Sequence, residues 1–318
     1  MDVLSEKRFI LKVFRNPMEM LPHIWPTPLV FLPSLSDKDR EVYGKLEYFN
    51  PFSHSIKDRA VWNMVVKAYQ ECIECKKLYE ATSGNVGIAL ACISNLLGIK
   101  FRAYIPKNTP RITEILLKML GAEVIRTEYE TINQEFIEYV RNAAEKDNAL
   151  NLNQFTNDNN FEVHYKYTAR ELEEQLKVIN KVPPTAIIAS IGTSGHIGGI
   201  STYFKEKYGN SVKIIGVVPA KGSVIPGIKR LETNPKWYSK DKVDRVIEIT
   251  KEEAVKQVLK IARKDGLLLG LSSGAVAAAY EHIRQEYDRG VFILVFPDDS
   301  FKYLEIFGDY LRMHPNNV

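Results

Sequence analysis

Two stretches of the sequence set glycine, serine and asparagine between an apolar strand and an apolar helix. They are YEATSGNVGIALA, from Tyr79, and AIIASIGTSGHIGGISTYF, from Ala186. Each loop leaves backbone N–H groups unpaired at a helix N-terminus, which attracts an anion. Gly84 and Gly87 in the first, and Gly192, Gly195, Gly198 and Gly199 in the second, allow close backbone approach. Neither is a nucleotide-type phosphate loop, because no GK[ST] follows and GTSGHIGG does not match GxGxxG. One such loop reads equally as a plain strand-to-helix turn. Two in one chain suggest a ligand pair with two anionic groups.

A third stretch, GKLEYFNPFSHSIKDRAVWNMV, carries a lysine in the first turn of an expected helix. Asn50-Pro51 ends a strand, and Ser53 and Ser55 offer helix caps before Lys57. The positive end of a helix dipole disfavours a cation there, which lowers the pKa and favours the free amine. A neutral amine is a nucleophile that can form a Schiff base. From SIKDR alone, a solvated lysine paired with Asp58 or Glu47 is the simpler alternative.

Apolar β-rich runs alternate with amphipathic helical patterns, the mark of a parallel α/β fold. Strands are expected at 44–48, 78–80, 100–105, 123–127, 186–190, 213–218, 245–249 and 291–296. Helices are expected at 57–72, 85–97, 109–120, 162–175, 198–208, 252–264 and 274–285. AIIAS and VFILVF are continuously apolar, so helices should cover both faces of their sheet. Between Glu130 and Asn160 the chain turns polar and asparagine-rich, and reads as a crossing between two α/β halves.

The 318 residues, with 45% hydrophobic and 26% charged, give about two globular domains and exclude disorder. The net charge of +4 comes from basic residues interspersed with acidic ones, which argues against nucleic acid as the main partner. Three cysteines are too few for a disulfide framework, and no metal site is expected. Cys72 and Cys75 form a lone CxxC read as ordinary packing, and Cys92 reads as core. No signal peptide and no apolar run of about 18 residues is present, so the expected location is the cytoplasm.

NPFSHSIKDR, EATSGNVGIALA, IGTSGHIGG and GLLLGLSSGA occur in the order and spacing of the cysteine synthase / cystathionine β-synthase family of pyridoxal-phosphate enzymes, which the chain therefore resembles. TPLV near Pro28 and FPDDSFKYL near the C-terminus resemble that family's flanking motifs, and the match runs from about Trp25 to Leu304. The resemblance implies the two-domain α/β architecture of pyridoxal-phosphate fold type II. Residues 1–49 and 160–318 would form a larger cofactor-binding domain. Residues 50–159 would form a smaller, mobile domain carrying the substrate-carboxylate loop. It implies pyridoxal 5'-phosphate as cofactor, an amino-acid substrate, sulfide or a thiol as second reactant, and a homodimer.

The resemblance also assigns roles. Lys57 matches the lysine that carries the cofactor and acts as catalytic base. Asn85 resembles the partner of the cofactor's ring hydroxyl. Gly192, Thr193, Ser194, Gly195 and His196 align with the phosphate loop, where any Cβ at Gly192 or Gly195 would crowd the phosphate. Ser272 matches the hydroxyl that meets the pyridine nitrogen; a neutral partner there weakens the electron sink and suits β-elimination. Thr82, Ser83, Asn85 and Gln154 resemble the pocket for the substrate carboxylate.

The chain departs from the family at three places. Val86 stands where TSGNTG has threonine. Ser194 and His196 stand where GTGGT has glycine and threonine, and His196 can donate to phosphate more strongly if protonated. From Pro219 to Val243, PAKGSVIPGIKRLETNPKWYSK replaces a glycine-rich segment and is similar to that of O-phosphoserine sulfhydrylases. Arg230, or its neighbour Lys229, is therefore expected to hold a leaving phosphate.

The expected activity is β-replacement that forms L-cysteine from O-phosphoserine or O-acetylserine and sulfide. Cystathionine β-synthase and cysteine desulfhydrase activities are the alternatives on the same scaffold. A non-catalytic, cofactor-binding regulator is the alternative of another class; the presence of Lys57, Ser83, Asn85 and Gln154 argues against it.

Overall fold

A computed structural model describes residues 12–71 and 76–315, so Cys72 and Cys75 lie outside the described residues. In chain order its helices and strands are α1 (Met20–Ile24), β1 (Leu29–Phe31), β2 (Arg40–Leu46), α2 (Lys57–Glu71), β3 (Lys77–Ala81), α3 (Asn85–Leu97), β4 (Lys100–Ile105), α4 (Arg111–Met119), β5 (Glu123–Arg126), α5 (Gln134–Lys146) and α6 (Asp158–Val163). They continue as α7 (Ala169–Val178), β6 (Ala186–Ser190), α8 (Gly195–Tyr208), β7 (Lys213–Pro219), β8 (Arg245–Ile249), α9 (Lys251–Asp265), α10 (Leu271–Ile283), β9 (Gly290–Phe296) and α11 (Leu304–Met313). None of the described helices is long and apolar enough to cross a membrane.

The strands form two sheets. A six-stranded sheet has the order β1-β2-β9-β6-β7-β8, and a three-stranded sheet has the order β3-β4-β5. All pairings among the described strands are parallel except the short edge pair β1–β2. The central strands β6 and β9 are covered on both faces, as their unbroken apolar runs require. Alternate residues feed alternate faces: Ile188, Phe292 and Leu294 join the α9–α10 side, whereas Ile187, Ile293 and Val295 join the α7–α8 side. The three-stranded sheet builds its own core with α2 and α3. Leu21, Met18 and Trp25 pack into that core although they precede residue 50.

Three sequence expectations are corrected. The polar stretch 130–160 contains a full helix, α5, whose Phe136, Val140 and Ala144 are buried at i, i+4 spacing among polar neighbours. Phe136 and Val140 pack with Tyr79, Ala81 and Tyr104 on the far face of the small sheet. The expected 162–175 helix is instead α6 and α7 joined by a π-turn at His164–Thr168. Cys92, expected in the core, is only partly buried.

Where the sheets meet, charge is buried. Arg59 donates to Glu47 through Nε at 2.6 Å and meets Glu171 through Nη2 at 2.5 Å, while Lys45 meets Glu171 at 2.6 Å. Arg59, Glu47 and Lys45 have no exposed side-chain surface. Thr27 donates its hydroxyl to Glu47, and the Trp25 ring lies 4.5 Å from the Arg59 guanidinium.

If α5 is a structural element of the small sheet, Phe136→Ala should destabilise the protein by about 3–5 kcal/mol. Chemical denaturation of parent and variant measures it; a change below about 1 kcal/mol would contradict the packing described.

Candidate active site

The loops that leave the C-terminal ends of β2, β3, β6 and β9 converge where the two sheets meet, the usual place for a ligand in a parallel α/β fold. Lys57 opens α2. Its backbone amide donates to the Ser55 hydroxyl at 3.1 Å, and the Asp58 carboxylate accepts from the Phe52 and Ser53 amides. These bonds fix the turn, while Lys57 Nζ makes no hydrogen bond among the described residues. Burial pushes its pKa down to about 8, opposed by the negative charge of Asp298. The amine is therefore much nearer neutrality than an ordinary lysine.

At the end of β3, Thr82 is buried and its hydroxyl accepts from the Gly87 amide at 2.9 Å, closing the start of α3. Ser83 is exposed at the loop tip. Asn85 donates through Nδ2 to Asp298 Oδ2 at 2.8 Å and leaves its Oδ1 buried and unpartnered. Val86 is buried in the small-sheet core, which accounts for an apolar residue there.

Gln154 is buried beside this loop and donates to the Ala81 carbonyl at 3.1 Å. The carboxylate of buried Glu80 accepts from the amides of Asn153 and Gln154, at 3.0 and 3.1 Å. Burial pushes the Glu80 pKa up to about 7 against those bonds. Asn160 then ties this loop to the one after β6: its Nδ2 donates to the Gln154 carbonyl at 2.8 Å and to the Thr193 hydroxyl at 3.0 Å.

In the loop after β6, Ser194 has φ 69°, the left-handed conformation that favours the glycine usual at this position. Its hydroxyl accepts from the Trp237 amide at 2.9 Å, so it holds the 219–243 segment rather than facing the loop's interior. A Cβ at Gly192 would lie 2.5 Å from the Gly227 carbonyl, and one at Gly195 would lie 2.3 Å from Asn160 Oδ1. Such a Cβ would meet protein in both places, so both glycines are required by the packing of the loop itself. His196 is buried with Nε2 unpartnered. Desolvation and the Lys57 charge hold its pKa down to about 3, so the stronger donation of a protonated imidazole is not available. His164, in edge contact with His196 at 6.0 Å, is likewise kept neutral by burial.

Ser272 lies in the first turn of α10, buried, with no hydrogen bond to its hydroxyl among the described residues. The N-terminal ends of α3, α8 and α10 all lack a side-chain cap. Arg230 stands apart. Its guanidinium donates to the Pro219 carbonyl, to Glu232 and to Glu248, and its charge is matched by the two carboxylates. Lys229 turns the other way. Its half-buried Nζ donates to the Ile132 carbonyl at 2.9 Å and lies 4.4 Å from the Phe155 ring, next to Gln154.

Residues 20–298 match the family model of pyridoxal-phosphate dependent enzymes. The chain belongs to that family. Cysteine synthase B of Pseudomonas aeruginosa is 35% identical, over 87% of this chain and 93% of that protein. Cysteine synthase B of Escherichia coli is 33% identical, over 89% and 94%. Among solved structures, cysteine synthase from Entamoeba histolytica matches with a TM-score of 0.81 and 29% identity, over 95% of this chain and 92% of that one. A hydrogen sulfide-producing enzyme from Fusobacterium nucleatum matches with a TM-score of 0.82 and 28% identity, over 92% and 100%. The protein is thus an enzyme of pyridoxal-phosphate fold type II, and its cofactor is pyridoxal 5'-phosphate.

The residues present fit that group. A free amine at Lys57, buried unpartnered atoms at Asn85 Oδ1 and His196 Nε2, and an open hydroxyl at Ser272 are what an aldehyde, a ring hydroxyl, a phosphate and a ring nitrogen require. Sequence reasoning passed over Asn160, Glu80 and Asp298. The last of these sits inside FPDDSFKYL, where the sequence shows only a flanking motif.

Because its pKa is lowered, cofactor-free Lys57 should react with a small acylating reagent half-maximally near pH 8, well below the surface lysines. Mass spectrometry of peptides across a pH series reads this site by site. A midpoint near that of the other lysines would show that the amine is solvated.

Proposed function

We propose that this enzyme forms L-cysteine by β-replacement, from a serine activated at its hydroxyl and sulfide, and that its preferred donor carries a phosphate. Its cysteine synthase relatives support the reaction class. The observation that favours phosphate is Lys229: a half-buried cation with no carboxylate partner among the described residues, over the ring of Phe155, the residue that follows Gln154.

In this reading Lys57 carries the cofactor, Asn85 faces its ring hydroxyl and Ser272 its ring nitrogen. The loop Gly192, Thr193, Ser194, Gly195 and His196 holds its phosphate through backbone amides, with neutral His196 as a further donor. When bound, the cofactor withdraws electrons from the substrate's α-carbon. Thr82 contributes by shaping the first turn of α3, since its oxygen already accepts from Gly87. Ser83 and Gln154 receive the substrate carboxylate, the exposed serine closing onto it from the loop tip. Lys57, once released by the incoming amine, takes the α-proton at Nζ, and its lowered pKa leaves a usable fraction as free base. The smaller sheet and its loops close over the substrate and exclude water. The enzyme works as a cytoplasmic homodimer, for which light scattering should give twice the chain mass.

Arg230, the first candidate for the leaving phosphate, is already balanced by Glu232 and Glu248. Lys229 replaces it. A charge-assisted bond is worth roughly 1.5–3 kcal/mol, or about a tenfold to hundredfold change in binding. Lys229→Ala should therefore raise KM for O-phosphoserine about tenfold to hundredfold and leave O-acetylserine nearly unchanged. Arg230→Ala should change both little. Burial puts the Lys229 pKa at about 8, so phosphoserine use should weaken as pH rises above that value and the cation is lost. Equal losses with both donors in Lys229→Ala would assign it to loop structure instead.

A panel of O-phosphoserine, O-acetylserine, serine and cysteine, each with sulfide, should show O-phosphoserine as the fastest source of new cysteine or of turnover. Borohydride reduction of the holoenzyme followed by peptide mapping should find the cofactor on Lys57. Its recovery on another lysine would overturn the mechanism.

A further inference from the structure

We infer that Glu80 is a positioning residue for the substrate-carboxylate pocket, acting through Gln154. Its buried carboxylate holds the turn that carries Gln154 where a strand would otherwise pair, and so fixes where the Gln154 amide sits. The inference rests on the reading of Gln154 as a residue that receives the substrate carboxylate.

β3 is the edge of the small sheet, with β4 on one side only. On its free side the chain from Leu150 begins to pair with it. The Leu150 amide donates to the Lys77 carbonyl, and the Leu150 carbonyl accepts from the Tyr79 amide, both at 2.9 Å. The pairing stops there. The Tyr79 and Ala81 carbonyls, next along that edge, accept instead from side chains: Asn151 Nδ2 at 2.8 Å and Gln154 Nε2 at 3.1 Å. Asn153, with φ 49°, turns the chain out of the strand. The backbone amides of Asn153 and Gln154 then both face the Glu80 carboxylate. The first donates to Oε2 at 3.0 Å and the second to Oε1 at 3.1 Å, while Asn151 Nδ2 adds a 3.4 Å bond to Oε2. Successive amides turned toward one point form a concave seat for an anion. This seat is filled by a carboxylate of the same chain.

Glu80 is 1% exposed, and no lysine or arginine lies within ion-pair distance of it among the described residues. A buried carboxylate without a cation is costly, and a neutral side chain would fill the same space with less desolvation. What a neutral side chain lacks is two accepting oxygens. Each partner of Glu80 donates, so together they favour the ionised form that burial disfavours. The carboxylate is thus matched to the turn rather than to an opposite charge.

The effect reaches the pocket through one residue. Gln154 is held at three points: its amide by Glu80, its carbonyl by Asn160 Nδ2, and its side chain by the Ala81 carbonyl. The Gln154 NH2 has two protons, so the bond to Ala81 leaves one for a ligand. Releasing the backbone amide frees the turn and lets that donor wander. Substrate binding must then order the turn as well, and a displacement of about 1 Å is enough to weaken an oriented contact strongly.

The test is steady-state kinetics of the holoenzyme with O-acetylserine and with O-phosphoserine. The variants are Glu80→Gln, Glu80→Asp, Gln154→Ala and the double variant of Glu80→Gln with Gln154→Ala. Glu80→Gln keeps the shape but turns an NH2 toward one of the two amides, leaving that amide unpaired. It should raise KM for both donors alike by about tenfold, with kcat nearly unchanged, because the carboxylate is common to both. Glu80→Asp keeps the charge with a shorter reach and should raise KM in the same direction by less. The double variant should raise KM no further than Gln154→Ala alone, since Glu80 acts through Gln154. Losses that add in the double variant, or a loss of kcat with KM unchanged, would overturn the inference. So would an unchanged KM in Glu80→Gln, or in Glu80→Asp if the first variant does not fold, while Gln154→Ala raises it. An unchanged KM in Gln154→Ala itself would overturn the reading of Gln154, and this inference with it.

Discussion

The position of Lys57 depends on charges buried two residues away. Arg59 has no exposed side-chain surface, and its guanidinium is divided between Glu47 at the end of β2 and Glu171 on α7. Lys45, equally buried, returns to Glu171. Taking these ions out of water is expensive, and the cluster is tolerable only because each charge meets an opposite one with good geometry. Losing one partner of such a cluster costs about 3–5 kcal/mol, whereas the complete set adds little net stability. Its value here is register. The start of α2 is locked between the two sheets, and Lys57 cannot drift by a fraction of a turn without breaking several bonds at once.

Apart from the Asp298 carboxylate, the site can be understood as neutral devices arranged around that locked amine. No anion-binding duty falls on a cationic histidine, since His196 and His164 are both dry and uncharged. Helix N-termini, asparagine side chains and a serine hydroxyl supply the polarity instead. Neutral groups add no charge repulsion to the lowering that burial already imposes on Lys57, so the amine stays in a useful range. Asn160 gives the arrangement coherence, because one side chain bonds the Gln154 loop and the Thr193 loop together.

Much of this is legible in the sequence, and the failures have physical causes. The strand–loop–helix units at Thr82–Asn85 and Gly192–His196 are local patterns, so their elements fall close to where the sequence puts them. The helix Gln134–Lys146 is hidden because its buried stripe is narrow, Phe136, Val140 and Ala144 among charged neighbours. Arg230 and Lys229 cannot be ranked from sequence because, besides nearby Glu232, their partners are remote in it: Glu248 lies on the next strand and Ile132 on the other sheet's side. Asp298 is missed for the same reason, as its meaning comes from Asn85, more than two hundred residues earlier. Side-chain identity announces the chemistry; which group each side chain faces is settled by topology.

Ser194 illustrates how a departure from a family pattern can become permanent. Its left-handed backbone costs a residue with a side chain roughly 1–2 kcal/mol, which a glycine would recover. Yet its hydroxyl is the acceptor for the Trp237 amide, and leaving a partly buried donor unpaired costs about 1–3 kcal/mol. The two quantities are of the same size and opposite sign. A change to glycine therefore gains nothing by itself while the 219–243 segment keeps its present path. Likewise, rerouting that segment strands a strained serine. Each change becomes favourable only after the other, so the loop and the segment above it are energetically coupled, and the serine cannot be judged apart from the segment it holds.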